Sequence, residues 1–368
     1  MSQSHPTNSH PNNSQQTIPL AGRRVVLIGG AGFIGHNLAL ELKRQGADVS
    51  VVDGLAVNNI ISHHCETYTN ADRLLYLAML DERLRLLREA EIPLYVEDAR
   101  DYLRMSMLIN GKLKPHAVVL LAAVAHASRS NKDPFHTFDH SLRTLENALD
   151  LSRGNIEHFI YFSSSMVYGT FETESVTEEA VCNPLGIYGA LKFGAEKLVI
   201  AYNQVFNLPY TIVRPSALYG ERCVSRRVGQ VFIENAIRGQ NLVIKGDGDE
   251  RLDFTYIGDL VHGVVQCIRH PAAINQVFNL TYGRGRSLNE MAAIIQEEFP
   301  GIEVAHVTRD ALMPERGTLD VSKARNLIEY SPQNPLEVGY RNYIRWYREF
   351  FDRVGLVPAT LAAAQVNE

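Results

Sequence analysis

Along the first two thirds of the chain, short unbroken apolar runs alternate with stretches in which apolar residues recur every three or four positions. Val25–Ile28, Val49–Val52, Leu94–Val96, Val118–Leu121 and Phe159–Phe162 are runs of the first kind, rich in branched and aromatic residues. Each is short and has no polar face, which predicts strands buried on both sides in a parallel sheet. Phe33–Gln45, Asp72–Ala90 and Asp133–Arg153 show helical spacing instead, each with one stripe to bury against such a sheet. Gly46 stops the first, Asp133-Pro134 opens the third, and Asp101 is placed to cap a further helix reaching Asn110. Strands and helices in this order predict an α/β fold, a doubly wound parallel sheet of the Rossmann type, over residues 21–214. Beyond Arg214 the strict alternation lapses. Residues 215–355 are therefore expected to form mainly a second lobe, with a strand near 277–280 returning to the main sheet. Residues 1–20 are polar and predict a disordered tail, and 356–368 a frayed one.

The junction of the first strand and helix carries glycines at 29, 32 and 35. Gly29 permits a tight turn, Gly32 lets backbone close on a pyrophosphate, and Gly35 lets the helix pack closely. Phe33 and Ile34 start that helix, whose free N–H groups and positive dipole end form an anion site made of backbone. Asp53 follows the second strand. A carboxylate there accepts both hydroxyls of an adenosine ribose and repels a ribose phosphate, so the cofactor expected is NAD rather than NADP. A glycine trio alone describes many ordinary turns; strand, trio, helix, strand and acid in sequence point to a dinucleotide.

Composition adds exclusions. The chain has 368 residues, 45% hydrophobic, with a formal net charge of −5, which gives no general footprint for nucleic acid or an anionic membrane. Its longest apolar run, Ala117–Ala125, is too short to span a bilayer. Cysteines 65, 182, 223 and 267 are scattered and no leader pattern opens the chain, so a cytoplasmic location is expected. His63, His64 and Cys65 are adjacent, but neighbours on a strand or helix point apart and no second ligand pair stands near, so no metal is expected.

The segment 54–92 is a departure, a long insertion carrying the 72–90 helix; it is expected to be a packing element, with a lid or subunit contact beside the adenosine as the functional alternative. Asp98, followed by Ala99, ends the third strand and is placed to accept a hydrogen bond from an adenine amino group. Leu121, Ala122 and Ala123 end the fourth with residues small enough for a cofactor to pass above. Tyr188 and Lys192 are four apart, hence one turn apart on one helix face. An ammonium beside a phenol favours the phenolate, making tyrosine a usable base, and lysine can also hold a nicotinamide ribose.

Together these motifs, with the serine run before Val167-Tyr168-Gly169, Arg214-Pro215, Tyr219-Gly220 and Asp253-Phe254-Thr255-Tyr256 with Asp259, resemble the extended short-chain dehydrogenase/reductase family of nucleotide-sugar epimerases and dehydratases. The resemblance spans about Arg24 to Pro332. It implies a cofactor domain of about seven strands, a smaller C-terminal substrate lobe, a cleft between them for a nucleotide-diphosphate sugar, and a homodimer through helices 134–153 and 188–205. It also places the assisting hydroxyl on Ser164, with Ser165 beside the substrate, and substrate contacts on Arg227, Arg251 and Arg316.

Departures from the family pattern narrow the reaction. The 4,6-dehydratases carry an Asp-Glu pair where this chain has Ser165 and Met166, and the decarboxylases usually carry Glu at the second of these. A thioether neither gives nor takes a proton. A 4-epimerase needs only tyrosine, lysine and a hydroxyl, and is the expectation; decarboxylase, dehydratase and net oxidoreductase are the enzymatic alternatives, and a non-enzymatic NAD-binding sensor the alternative of another class. His140 and Ala217 stand where many relatives have Asn. Arg227 near a helix start suits an acidic sugar, making UDP-glucuronate the first candidate substrate and UDP-glucose the second.

Overall fold

The computed structural model describes residues 17–56, 73–124, 127–308 and 314–355. The His63–Cys65 group, residues 57–72 of the 54–92 insertion, most of the expected N-terminal tail and all of the C-terminal one lie outside them. Seven strands form the central sheet: β1 (Arg24–Ile28), β2 (Asp48–Val52), β3 (Leu94–Tyr95), β4 (Ala117–Leu120), β5 (His158–Phe162), β6 (Tyr210–Arg214) and β7 (Gln276–Asn279). Their spatial order is β7-β6-β5-β4-β1-β2-β3. Every pairing is parallel. The order reverses between β1 and β4, the crevice where open sheets of this kind bind ligands.

Strand periodicity explains the two layers. Val25, Leu27, Val49, Val51, Val119 and Ile160 face one way, onto Leu38 and Leu42 of α1 (Phe33–Arg44) and onto Leu260 and Val264 of the helix Ile257–Arg269. Val26, Ile28, Val52, Val118, Leu120 and Phe159 face the other, onto Leu145, Leu149 and Val199. No strand residue of β1 or β4 is left for solvent to solvate except Arg24, so a polar substitution there would bury an unpaired group.

A third apolar cluster lies in the second lobe, where Phe232, Ile233, Met291, Tyr340, Tyr343 and Tyr347 pack together. Leu75, Tyr76 and Met79 of the insertion helix α2 (Arg73–Glu89) belong to it, and the Tyr76 hydroxyl donates to Glu234 at 3.0 Å. The insertion helix is thus a packing element between the lobes, as its leucine spacing indicates. One expectation fails at the N-terminus: Leu20 is buried in the first cluster and the Ile18 N–H donates to the Arg269 carbonyl at 2.6 Å. Residues 18–20 are thus tied to the first cluster and to the end of the helix Ile257–Arg269. Among the described residues, no helix is long and apolar enough to cross a membrane.

Candidate active site

Gly29 has φ +83°, and a Cβ on it would lie 2.5 Å from the Ala122 nitrogen; the turn is closed against the end of β4. Gly32 is the residue before α1 and offers no side-chain cap, leaving the first N–H groups of the helix open toward the crevice. Gly35 packs on Gly30, whose Cα would be 2.5 Å from an added Cβ. Gly30 itself has no room for a side chain, since a Cβ would meet Leu27 and Val51 at 2.9 Å. That fourth glycine was absent from the sequence expectation, which counted only the spaced trio; the doubled Gly29-Gly30 was its available signal. Phe33 and Ile34 are partly buried on the first turn of α1.

Asp53 takes one backbone N–H on each carboxylate oxygen, from Ala31 at 2.9 Å and Leu55 at 2.8 Å. Burial raises its pKa, and those two donors and Arg83 oppose the rise. Each oxygen keeps a second lone pair, which fits it to ribose hydroxyls. Asp98 is turned onto Arg100, which donates to it from backbone and guanidinium and lowers its pKa, so an adenine amino group would compete with that pair. Ala99 gives its carbonyl to Asn147 Nδ2 at 3.0 Å. Leu121 and Ala122 donate backbone N–H groups to the Ile28 carbonyl, and Ala123 follows at the crevice floor. Beside it a cavity of about 210 Å³ is lined by Ala56, Val124, Arg129, Asp133, His136, Thr137 and His140.

Helix α3 (Gly186–Phe206) carries Tyr188 and Lys192 one turn apart. The phenol stands near enough to Ser164 for that hydroxyl to draw its pKa down; Ser164, two residues after β5, caps a short 3₁₀ turn, Ser165–Val167. The ammonium donates to the Phe162 carbonyl at 2.7 Å and sits 5.0 Å over the Tyr161 ring. Burial raises the Tyr188 pKa, and the charge of Arg227 and the Ser164 hydroxyl oppose the rise. Burial also lowers the Lys192 pKa, to about 8. Ser165 is 1% exposed, with its N–H on the Pro215 carbonyl, so it supports the turn.

Of the three expected arginines, Arg227 immediately precedes α4 (Val228–Ile237) and is the one whose charge is felt by Tyr188. Arg251 donates to the Gly285 carbonyl at 2.7 Å, and Arg316 lies 3.9 Å from Glu250, both within the second lobe. Arg222, close to Arg226 and Arg227 in sequence, points away to α1, donating to His36 Nε2 at 2.9 Å.

The glycine turn follows β1, Asp53 follows β2 and Ser164 follows β5, so the backbone cradle, the carboxylate and the hydroxyl beside the phenol all stand at the C-terminal ends of the parallel strands. The model of the NAD dependent epimerase/dehydratase family matches residues 25–281. The chain belongs to that family. An uncharacterized UDP-glucose epimerase of Bacillus subtilis is 27% identical over 332 residues, covering 89% of this chain and 99% of the relative. UDP-glucuronic acid decarboxylase 1 of Xenopus tropicalis is 26% identical, over 89% of this chain and 72% of that protein. Among solved structures, UDP-glucuronic acid 4-epimerase from Bacillus cereus, in complex with UDP-glucuronic acid and NAD, superposes with a TM-score of 0.78 at 24% identity, covering 88% of this chain and 99% of that one. The expected family and the doubly wound fold are thereby established, and NAD is the cofactor of the family.

Lys192 also yields a pH expectation. Its folded pKa of about 8 lies below the 10.5 of the free side chain, so the folded state holds the proton less well than the unfolded one between those values. Wild-type stability should therefore rise as pH increases from about 8 to 10.5, and the buried ammonium should cost stability at pH 7. Lys192→Met is expected to be more stable than wild type by about 1–3 kcal/mol at pH 7, less so at pH 10, while losing activity. Urea melts at the two pH values check it; a destabilised variant at pH 7 would show that the Phe162 hydrogen bond outweighs burial.

Proposed function

We propose that this protein is an NAD-dependent nucleotide-sugar 4-epimerase. The observation that carries the reading is the set Tyr188, Ser164 and Lys192 at the crevice, with Ser165 buried and Met166 in the position where a second proton donor would stand. Gly29, Gly32, Phe33, Ile34, Gly35, Asp53, Asp98, Ala99 and Leu121–Ala123 would hold NAD, with Lys192 retaining two N–H groups for its nicotinamide-side ribose. NAD, when bound, supplies the acceptor and later the donor of hydride at the sugar C4. Tyr188 removes the proton of the 4-hydroxyl as the C4–H bond breaks, Ser164 holds the oxygen, and Tyr188 returns the proton once the ketone has turned over. Phenol and hydroxyl suffice for this cycle. Loss of carbon dioxide needs a carboxylate held against an acid, and loss of water needs an acid and base pair; Met166 supplies neither. Incubation with UDP-glucose and UDP-glucuronate, read by mass and NMR, tests the proposal. A stereoisomer of unchanged mass supports it; carbon dioxide, loss of water or net NADH would replace it with a decarboxylase, dehydratase or oxidoreductase.

Arg227 bears on the sugar. Its charge reaches the reacting phenol, so a hexuronate carboxylate beside C4 lies within its field. A charge-assisted hydrogen bond contributes about 1.5–3 kcal/mol. Arg227→Met is expected to lower the kcat/KM preference for UDP-glucuronate over UDP-glucose at least about tenfold, or 1.4 kcal/mol. Equal loss with both sugars would make Arg227 a diphosphate ligand.

A homodimer in the cytoplasm completes the proposal. Phe135 (77% exposed), Val205 (67%), Leu198 (45%) and Phe206 (41%) lie on the two helices that the family resemblance pairs between subunits. The described cysteines 182, 223 and 267 are free thiols, in keeping with a reducing compartment. Light scattering showing the mass of a single chain would remove the dimer.

A further inference from the structure

Two side chains on the second turn of α1 brace its first turn. His36 Nδ1 lies 2.8 Å from the Gly32 carbonyl, and Asn37 Nδ2 donates to the Phe33 carbonyl at 2.9 Å. A carbonyl can only accept, so Nδ1 of His36 carries the proton and Nε2 carries a lone pair. That lone pair accepts from Arg222 Nε at 2.9 Å, while Arg222 Nη2 donates to Asn37 Oδ1 at 3.1 Å. One guanidinium, 186 residues away along the chain and rooted in the second lobe just after Tyr219-Gly220, therefore grips both braces.

Arg222 is itself held from behind. Its backbone is left-handed, φ +62°, a conformation that L residues avoid, and its carbonyl accepts from the Arg83 guanidinium through Nη2 and through Nε at 3.0 Å. Arg83 belongs to the insertion helix α2 and is 1% exposed. Its neighbour Glu82 balances the cations, with Oε1 3.6 Å from Arg222 and Oε2 2.6 Å from Arg353. A cluster of this kind is worth burying only where both lobes must keep one arrangement.

We propose that Arg222, seated by Arg83 and Glu82, is a latch that holds the phosphate-binding turn of the cofactor site closed, so that NAD leaves only when the second lobe moves away from α1. The latch rests on the NAD reading above. It gives the 54–92 insertion a role: the helix fixes the residue that joins lobe to turn. A catalyst that returns the hydride to the sugar it came from has no need to exchange its cofactor, and slow exchange keeps the reduced form from escaping between the two half-reactions. Arg222 and Arg83 are positioning residues, since neither touches the crevice chemistry directly.

NAD-loaded protein mixed with excess isotopically labelled NAD and desalted at intervals reports exchange by mass spectrometry of the bound dinucleotide. Arg222→Met is expected to accelerate exchange at least tenfold over wild type. The double substitution His36→Phe with Asn37→Ala, which cuts the same bonds from the α1 side, should do likewise and decides the matter if Arg222→Met fails to fold. Arg286→Met breaks a contact to Glu337 inside the second lobe and serves as the control for general loosening. Exchange at the wild-type rate in a folded latch variant, or equal acceleration in the control, overturns the latch. Wild-type protein that keeps no NAD through desalting removes the latch before any substitution is made; turnover restored by added NAD then leaves the cofactor reading intact, and turnover with no dependence on NAD removes that reading as well.

Discussion

Tyr188→Phe is expected to fold, bind NAD and lose at least about a thousandfold in turnover, the upper part of the range for removing a positioned acid–base group. The ring is retained, so packing is preserved and only the hydroxyl bonded to Ser164 goes. Burial raises the phenol's pKa; Arg227 and Ser164 oppose the rise and bring it toward a usable base. Ser164→Ala should therefore shift the acid-side, rising limb of the pH–rate profile to higher pH and cost less than Tyr188→Phe. Turnover near wild type in Tyr188→Phe would remove the phenol from the mechanism.

The second large effect is on stability. Arg214, at the end of β6, makes two bonds to the Glu196 carboxylate, at 2.9 and 2.7 Å, with side-chain exposures of 5% and 2%. Glu196 also accepts from Ser163 at 2.5 Å, and Arg214 donates to the Tyr168 hydroxyl at 2.9 Å, which in turn donates to Asn279 at 2.7 Å. Burying two charges is unfavourable unless each meets its partner with every donor used; here both do. Arg214→Met strands Glu196 in the core and is expected to destabilise by about 3–5 kcal/mol. Adding Glu196→Leu should recover much of that loss, because the stranded charge is then gone. A urea-midpoint series checks both, and a double variant no more stable than the single would show that the hydrogen bonds to Ser163 and Tyr168 matter more than the charge. The pair anchors β5 one residue before Ser164, so a drop in activity should accompany the loss of stability.

Much of this arrangement was legible in the chain because it is local. A buried strand is apolar throughout, a covering helix repeats every three or four residues, and glycine marks where backbone must close; these rules placed β1 to β5, α1, and the pair Tyr188 and Lys192. The caps at Asp101 and Asp133 were equally readable, each accepting a backbone N–H three residues on. What escaped depends on contacts that no local period encodes. Lys192 is four residues from Tyr188, and nothing in that spacing foretells that its ammonium also donates to a carbonyl of β5. Arg222 sits five residues before Arg227 and serves the opposite side of the cleft. Ser164 and Ser165 look alike in sequence and are both buried, but Ser164 caps the 3₁₀ turn while the Ser165 N–H is spent on the Pro215 carbonyl. Neighbours in sequence diverge in role wherever the backbone turns, and the turn is decided by the strands it joins.

The central claim is that hydride leaves C4 of the sugar and returns to the same carbon on its other face. UDP-glucose and UDP-glucuronate deuterated at C4, turned over in ordinary water, test it most directly. The account predicts both C4 epimers of at least one of these sugars, with the deuterium retained at C4 and the mass unchanged. Loss of the label to solvent, its net transfer to released NADH, or a product lighter by carbon dioxide or water would contradict it.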